Sequence, residues 1–106
     1  MNWLFLRGLA RERAHWFRLP EIFEATVPDA KVHFLDLPGV GSERHRASPS
    51  RIPQIREDLR GRWLEMKESI EGPWALAGIS LGGMVSMDWA HRYPDDWSRV
   101  VIMNTS

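Results

Sequence analysis

The sequence predicts an α/β fold: a parallel sheet of four strands with helices on both faces, in three layers (α/β/α). Three observations predict it. Short apolar runs alternate with longer stretches of helical periodicity along the whole chain, the order that builds βαβ units. Turn residues separate the two kinds of segment at nearly every junction. No internal repeat, low-complexity tract or linker divides the 106 residues, and a chain of that length holds one domain at most.

The elements follow in order. Residues 3–6 (Trp-Leu-Phe-Leu) form a short apolar run before Arg7-Gly8, which reads as a buried strand entering a tight turn. Residues 9–26 carry a looser helical pattern through Trp16, Leu19, Ile22 and Phe23. Pro20 interrupts that pattern and is expected to open the true helix at its first turn. Pro28-Asp29 marks a turn. Residues 31–36 read as the second strand, and 36–42 (Asp-Leu-Pro-Gly-Val-Gly-Ser) as a loop that continues through the polar stretch 43–50. A long amphipathic helix is expected over 53–70. Its stripe is Ile52, Ile55, Leu59, Trp63, Met66 and Ile70, at spacings of three and four. Gly72-Pro73 stops it. Residues 74–78 read as the third strand, 81–91 as a helix with Leu81, Met84, Val85 and Trp89 inward, and 99–103 as the fourth strand.

Composition excludes several function classes. Apolar residues make up 43% and charged residues 26%, so the chain is globular rather than disordered or a coiled coil. Lys plus Arg and Asp plus Glu number 14 each. A neutral chain has no global field to draw in nucleic acid or an anionic membrane. There is no cysteine, hence no disulfide, no thiol nucleophile and no Cys-ligated zinc. The longest apolar run near the N-terminus, Leu4-Phe5-Leu6, is too short for a signal peptide or a membrane span. The expected compartment is the cytoplasm. Six Trp imply a substantial core or a bound partner.

One motif carries chemistry. Gly78-Ile79-Ser80-Leu81-Gly82 matches G-x-S-x-G at an expected strand-to-helix junction. The chemistry needs a serine on a sharp turn with its hydroxyl exposed. Such a turn crowds the backbone, so small residues are required two positions before and two after. The following helix directs its N-terminal N–H groups at the serine and favours negative charge there.

Two further stretches add to the motif. Asp36-Leu37-Pro38-Gly39-Val40-Gly41-Ser42 looks like a D-x-P-G-x-G-x-S loop, and Ser80-Leu81-Gly82-Gly83 like the S-x-G-G continuation of a nucleophile elbow. With the strand ending in Arg7-Gly8-Leu9, these occur in the order found in the N-terminal half of the α/β-hydrolase superfamily. The chain resembles that superfamily over essentially its whole length. The resemblance implies Ser80 as nucleophile, with the backbone N–H groups of Leu9 and Leu81 as the two oxyanion donors. It implies Gly78 and Gly82 as the elbow glycines. It implies no cofactor, and a small-molecule ester or similar acyl substrate. The family often has His where this chain has Arg7, but the donor there is backbone.

The family's triad runs Ser, then Asp or Glu, then His, and the last two would lie on strands after the fourth. The resemblance therefore implies the N-terminal portion of a single hydrolase domain over residues 1–106, within a longer protein. It also implies a strand order of second, first, third, fourth, with the fourth strand an open edge. Among the histidines, His91 lies about 15 Å along its helix from Ser80, and His33 reads as a packed strand residue. His15 and His45 lie on the strand-end side, where sites form, but no spacing ties either to Ser80. Asp36 is expected to hold its loop, and Asp88 to be solvated. No His and acid cluster has metal-ligand spacing. Trp63 and Trp89 are expected in the core, and Trp16 beside the pocket. Two other readings stay open: a non-catalytic remnant or interaction module on the same fold, or another reaction of the superfamily (acyl transfer, haloperoxidation, C–C hydrolysis).

Overall fold

The computed structural model describes residues 1–7, 19–37, 51–79 and 81–103. The elements are β1 (Asn2–Arg7), α1 (Leu19–Thr26), β2 (Lys31–Asp36), α2 (Ile52–Lys67), β3 (Trp74–Ile79), α3 (Leu81–Arg92), a 3₁₀ turn (Pro94–Asp96) and β4 (Arg99–Met103). All strands are parallel, in the order β2-β1-β3-β4, as expected. The helical pattern read from residue 9 and the loop at 38–50 lie outside the described residues.

Side-chain alternation sorts the sheet into two faces. Leu4, Leu6, Trp74 and Leu76 pack with Ile55, Leu59 and Trp63 of α2 and with Val85 and Trp89 of α3. Trp3, Phe5, Ala75 and Ala77 form the other face with Phe23 of α1. Phe23 meets Trp3 and Phe5 edge-on, at centroid distances of 4.9 and 5.5 Å. The three-layer arrangement is therefore a consequence of strands that are apolar on both sides.

The helices begin and end for local reasons. Pro20 is the second residue of α1, where its missing N–H costs nothing. After α1 the chain turns through Asp29, which takes a left-handed φ of 62°, a conformation Asp tolerates better than most residues. Glu24 reaches from α1 to accept the Val32 N–H at 2.7 Å. Pro53 lies in the first turn of α2. That helix ends at Lys67, three residues short of the expected Ile70. The reason is a tightened exit: Glu68, Ser69 and Ile70 donate to carbonyls three residues back, at 3.3–3.4 Å. Ile70 still packs on the core. In α3 the expected inward Met84 is 47% exposed. Val85 and Trp89 face inward as expected, joined by Gly82, Gly83 and Ser86, because the contact face starts from the glycines.

Four indoles lock α2, α3 and the β4 entry together. Trp63 lies 4.5 Å from Trp97, 5.7 Å from Trp89 and 6.0 Å from Trp74, centroid to centroid. The indole N–H groups of Trp63, Trp74 and Trp97 are buried without an acceptor among the described residues. Each such loss costs about 1–3 kcal/mol. Burying an indole of about 150–250 Å² contributes about 4–6 kcal/mol, so burial wins. The fourth indole is satisfied: Trp89 Nε1–H donates to Asp96 Oδ2 at 2.8 Å. Arg60 clamps the same carboxylate through Nε (2.8 Å) and Nη2 (3.2 Å). Asp88, expected in solvent, is ion-paired with Arg56 at 2.6 Å, because α2 and α3 pack side by side.

His33 is a packed strand residue, as expected. Its ring lies 5.0 Å from that of Trp74, and its Nε2 is 3.3 Å from Asn2 Oδ1. Asn2 Nδ2 donates to the Glu71 carbonyl, so the Asn2 oxygen faces the imidazole and Nε2 carries the proton. Burial holds the His33 pKa below its usual 6.5, with Lys31 adding to the effect and Glu24 opposing it. The unfolded chain therefore binds a proton at this site more readily than the folded one. Stability should be unaffected by His33 above pH 6.5 and should fall as pH drops from there through the lower folded value. Urea unfolding at pH 7 and pH 5 should show that slope reduced in His33→Gln.

Candidate active site

The region around the expected nucleophile is built by three elements: the ends of β1 and β3 and the start of α3. Strand β3 ends at Ile79 and α3 starts at Leu81. The single residue between them, Ser80, lies outside the described residues, as does Leu9. Leu81 is the first residue of α3, so its N–H has no intrahelical partner and sits at the positive end of the helix dipole.

The two glycines of the motif are required by contact. A Cβ on Gly82 would overlap the Leu6 carbonyl oxygen and lie 3.0 Å from its carbon and 3.2 Å from the Leu6 Cβ. A Cβ on Gly78 would overlap the Gly82 carbonyl oxygen and Ser86 Oγ, and lie 2.7 Å from the Gly82 carbonyl carbon. The obstructing atoms are mostly backbone and cannot yield. The helix start is thus pressed against β1 and β3 at once. Only a sequence with glycine at both positions permits it.

The other candidates fall elsewhere. His33 reaches Asn2 at the opposite end of the sheet from Gly78, since Asn2 is the first and Leu6 the last β1 residue paired with β3. His91 is exposed in the last turn of α3. His15, His45 and Trp16 lie outside the described residues. Asp36 ends β2 opposite Arg7, and its carbonyl accepts from Arg62 Nη2 at 2.7 Å. Arg62 is in turn paired with Asp58 at 2.8 Å, which ties the strand end to α2. Among the described residues, no group of three or more His, Asp or Glu could hold a metal ion. No helix among them is long and apolar enough to cross a membrane. A half-open groove of about 210 Å³ between Trp3, Val27 and Arg99 lies at the strand starts, away from Gly78.

Comparison with known proteins decides the family. The profile of the alpha/beta hydrolase fold family matches residues 4–106. The chain belongs to this family. It is 30% identical over 104 residues to the biotin biosynthesis bifunctional protein BioHC of Teredinibacter turnerae, covering 97% of this chain and 17% of that protein. It is 35% identical over 75 residues to a pimeloyl-[acyl-carrier protein] methyl ester esterase of Chromobacterium violaceum, covering 71% of this chain and 26% of that one. The crystal structure of lip1 from Acinetobacter baumannii superposes with a TM-score of 0.70 at 28% identity, over 95% of this chain and 32% of that one. The chain thus spans about a sixth to a third of the length of these relatives.

Within this hydrolase-fold chain, one buried group escaped the motif. Ser86 is fully buried and its Oγ donates to the Gly82 carbonyl at 2.7 Å. The signal was available as small residues at 78, 82 and 86, four apart.

Gly82→Ala and Gly78→Ala should each destabilise the fold by at least about 1–3 kcal/mol, the range for overpacking against atoms that cannot move. Gly61, in the middle of α2, has nothing within 4 Å of a built Cβ. Gly61→Ala should instead stabilise by about 0.5–1 kcal/mol. Urea midpoints of the three variants give the comparison.

Proposed function

We propose that this chain carries the nucleophile half of a serine hydrolase acting on an ester or similar acyl substrate. The observation that carries the reading is the double glycine contact at the β3–α3 junction, in a sequence that leaves only Ser80 between strand and helix. In this reading Ser80 Oγ attacks the acyl carbonyl carbon and its proton passes to a base. The carbonyl oxygen becomes an oxyanion held by the N–H groups of Leu9 and Leu81, each worth roughly 100- to 1,000-fold in turnover. Collapse expels the alcohol, which takes the proton, and leaves an acyl-Ser80. Water activated by the same base then attacks and releases the carboxylic acid. The base and its orienting acid belong to polypeptide outside these 106 residues. The esterase named among the relatives supports this class of reaction.

The test is covalent labelling. A serine-directed fluorophosphonate should label the product of the complete open reading frame at Ser80, found by peptide mapping, and should not label Ser80→Ala. Labelling of any other residue, or of none, overturns the assignment.

The charge of the two connections that follow β1 and β2 supports a narrower substrate class. Residues 8–18 and 37–51 together hold six Arg against two Glu, half of the chain's 12 arginines. Both connections leave the C-terminal ends of parallel strands, the end at which sites in such sheets form. An acyl substrate that carries negative charge suits this end, with arginine the preferred partner for carboxylate and phosphate. An acyl ester bearing a free carboxylate should then be turned over with higher kcat/KM than its neutral analogue. That advantage should shrink as salt rises from 50 to about 500 mM, as screening requires.

A further inference from the structure

We propose that Ser86 is a positioning residue that holds the start of α3 in its catalytic geometry; the role rests on reading Ser80 as the nucleophile. The first turn of α3 contains Gly82 and Gly83 in succession. Gly82 must be small because it lies against the Leu6 carbonyl. Two adjacent glycines leave that turn only the flanking Leu81 and Met84 side chains, and give it the greatest backbone freedom of any pair. Yet this turn carries the Leu81 N–H, whose direction matters to any oxyanion it receives.

Ser86 supplies the missing restraint. It lies one turn further along α3 and is 0% exposed. Its hydroxyl donates to the Gly82 carbonyl oxygen at 2.7 Å, the same oxygen that helical geometry pairs with the Ser86 backbone N–H. One residue therefore pins that carbonyl with two donors. The same Oγ occupies the space that a Gly78 Cβ would need, so Ser86 also bears on the last turn of chain before the junction. A hydroxyl bonding four residues back within a helix normally costs a little helix stability. Here it offsets the looseness that the glycines introduce. An alanine would keep the fold but leave the carbonyl with its backbone donor alone.

The experiment compares the parent, Ser86→Ala and Ile55→Val in the product of the complete open reading frame. Ile55 is buried on α2, a different helix from the one that carries the Ser86–Gly82 bond, and Ile55→Val serves as a destabilised control. Well below the melting temperature, Ser86→Ala should lower the acylation rate by about tenfold with KM unchanged, a partial misalignment that stays short of losing an oxyanion donor outright. Ile55→Val should acylate like the parent. Acylation of Ser86→Ala within twofold of the parent overturns the proposal, and so does an equal loss in Ile55→Val. Amide hydrogen exchange gives a second measure that needs no activity. Exchange at Val85 and Met87, flanking Ser86, should quicken about tenfold in Ser86→Ala relative to Trp89. Unchanged exchange overturns the restraint itself. If the parent is not acylated at all, the nucleophile reading fails, and the exchange result alone then decides whether Ser86 pins the turn.

Discussion

The fold hangs on one close approach: the start of α3 pressed without side chains against the ends of β1 and β3. Gly82 meets the Leu6 carbonyl, and Gly78 meets the Gly82 carbonyl and Ser86. Backbone thereby touches backbone where most helix–sheet contacts are filled by side chains. The consequence is local and geometric. The strand can turn into the helix with one intervening residue. The free N–H groups of the helix start then lie beside the end of β1. Any side chain at either glycine would push these parts asunder.

The other end of α3 is filled in the opposite way. Trp89 is wholly buried there among Trp63 and Trp97, with Asp96 binding its indole N–H and the Arg60 guanidinium together. The charge pair is partly shielded, with side-chain exposures of 25% and 13%, so it is worth more than a fully exposed pair. Tyr93 extends the clasp: its ring lies 3.8 Å from the Arg60 guanidinium carbon and its hydroxyl donates to Glu57. Small residues at the helix start and large ones at its end make the contact with the core continuous. The first permits a one-residue turn from strand to helix and the second adds buried area.

Much of this was legible in the linear pattern. The four strands and the α2 stripe through Ile55, Leu59 and Trp63 follow from apolar periodicity and βαβ connectivity. The β2-β1-β3-β4 order and the edge at β4, where Val100 and Val101 are 37% and 41% exposed, came instead from the resemblance to the hydrolase superfamily. The misses have a common cause. Met84 reads as inward by hydropathy, yet α3 is oriented by its glycines, which hydropathy scores as nothing. Asp88 reads as solvated, yet its partner Arg56 is 32 residues away on another helix. Ile70 continues the stripe numerically, but the backbone tightens before reaching it.

The sequence by itself determined the layered architecture, because residue spacing and turn chemistry act along the chain and need no distant partner. It also located the G-x-S-x-G junction and placed half of the arginines in two connections. Only the tertiary structure decided why the two motif glycines are obligatory, since the atoms that exclude a Cβ belong to Leu6 and to the following helix. It alone brought Ser86 under the junction and Asp96 onto Trp89 and Arg60. Such contacts depend on how elements dock, and docking is set by shape in three dimensions, which periodicity along a chain does not encode.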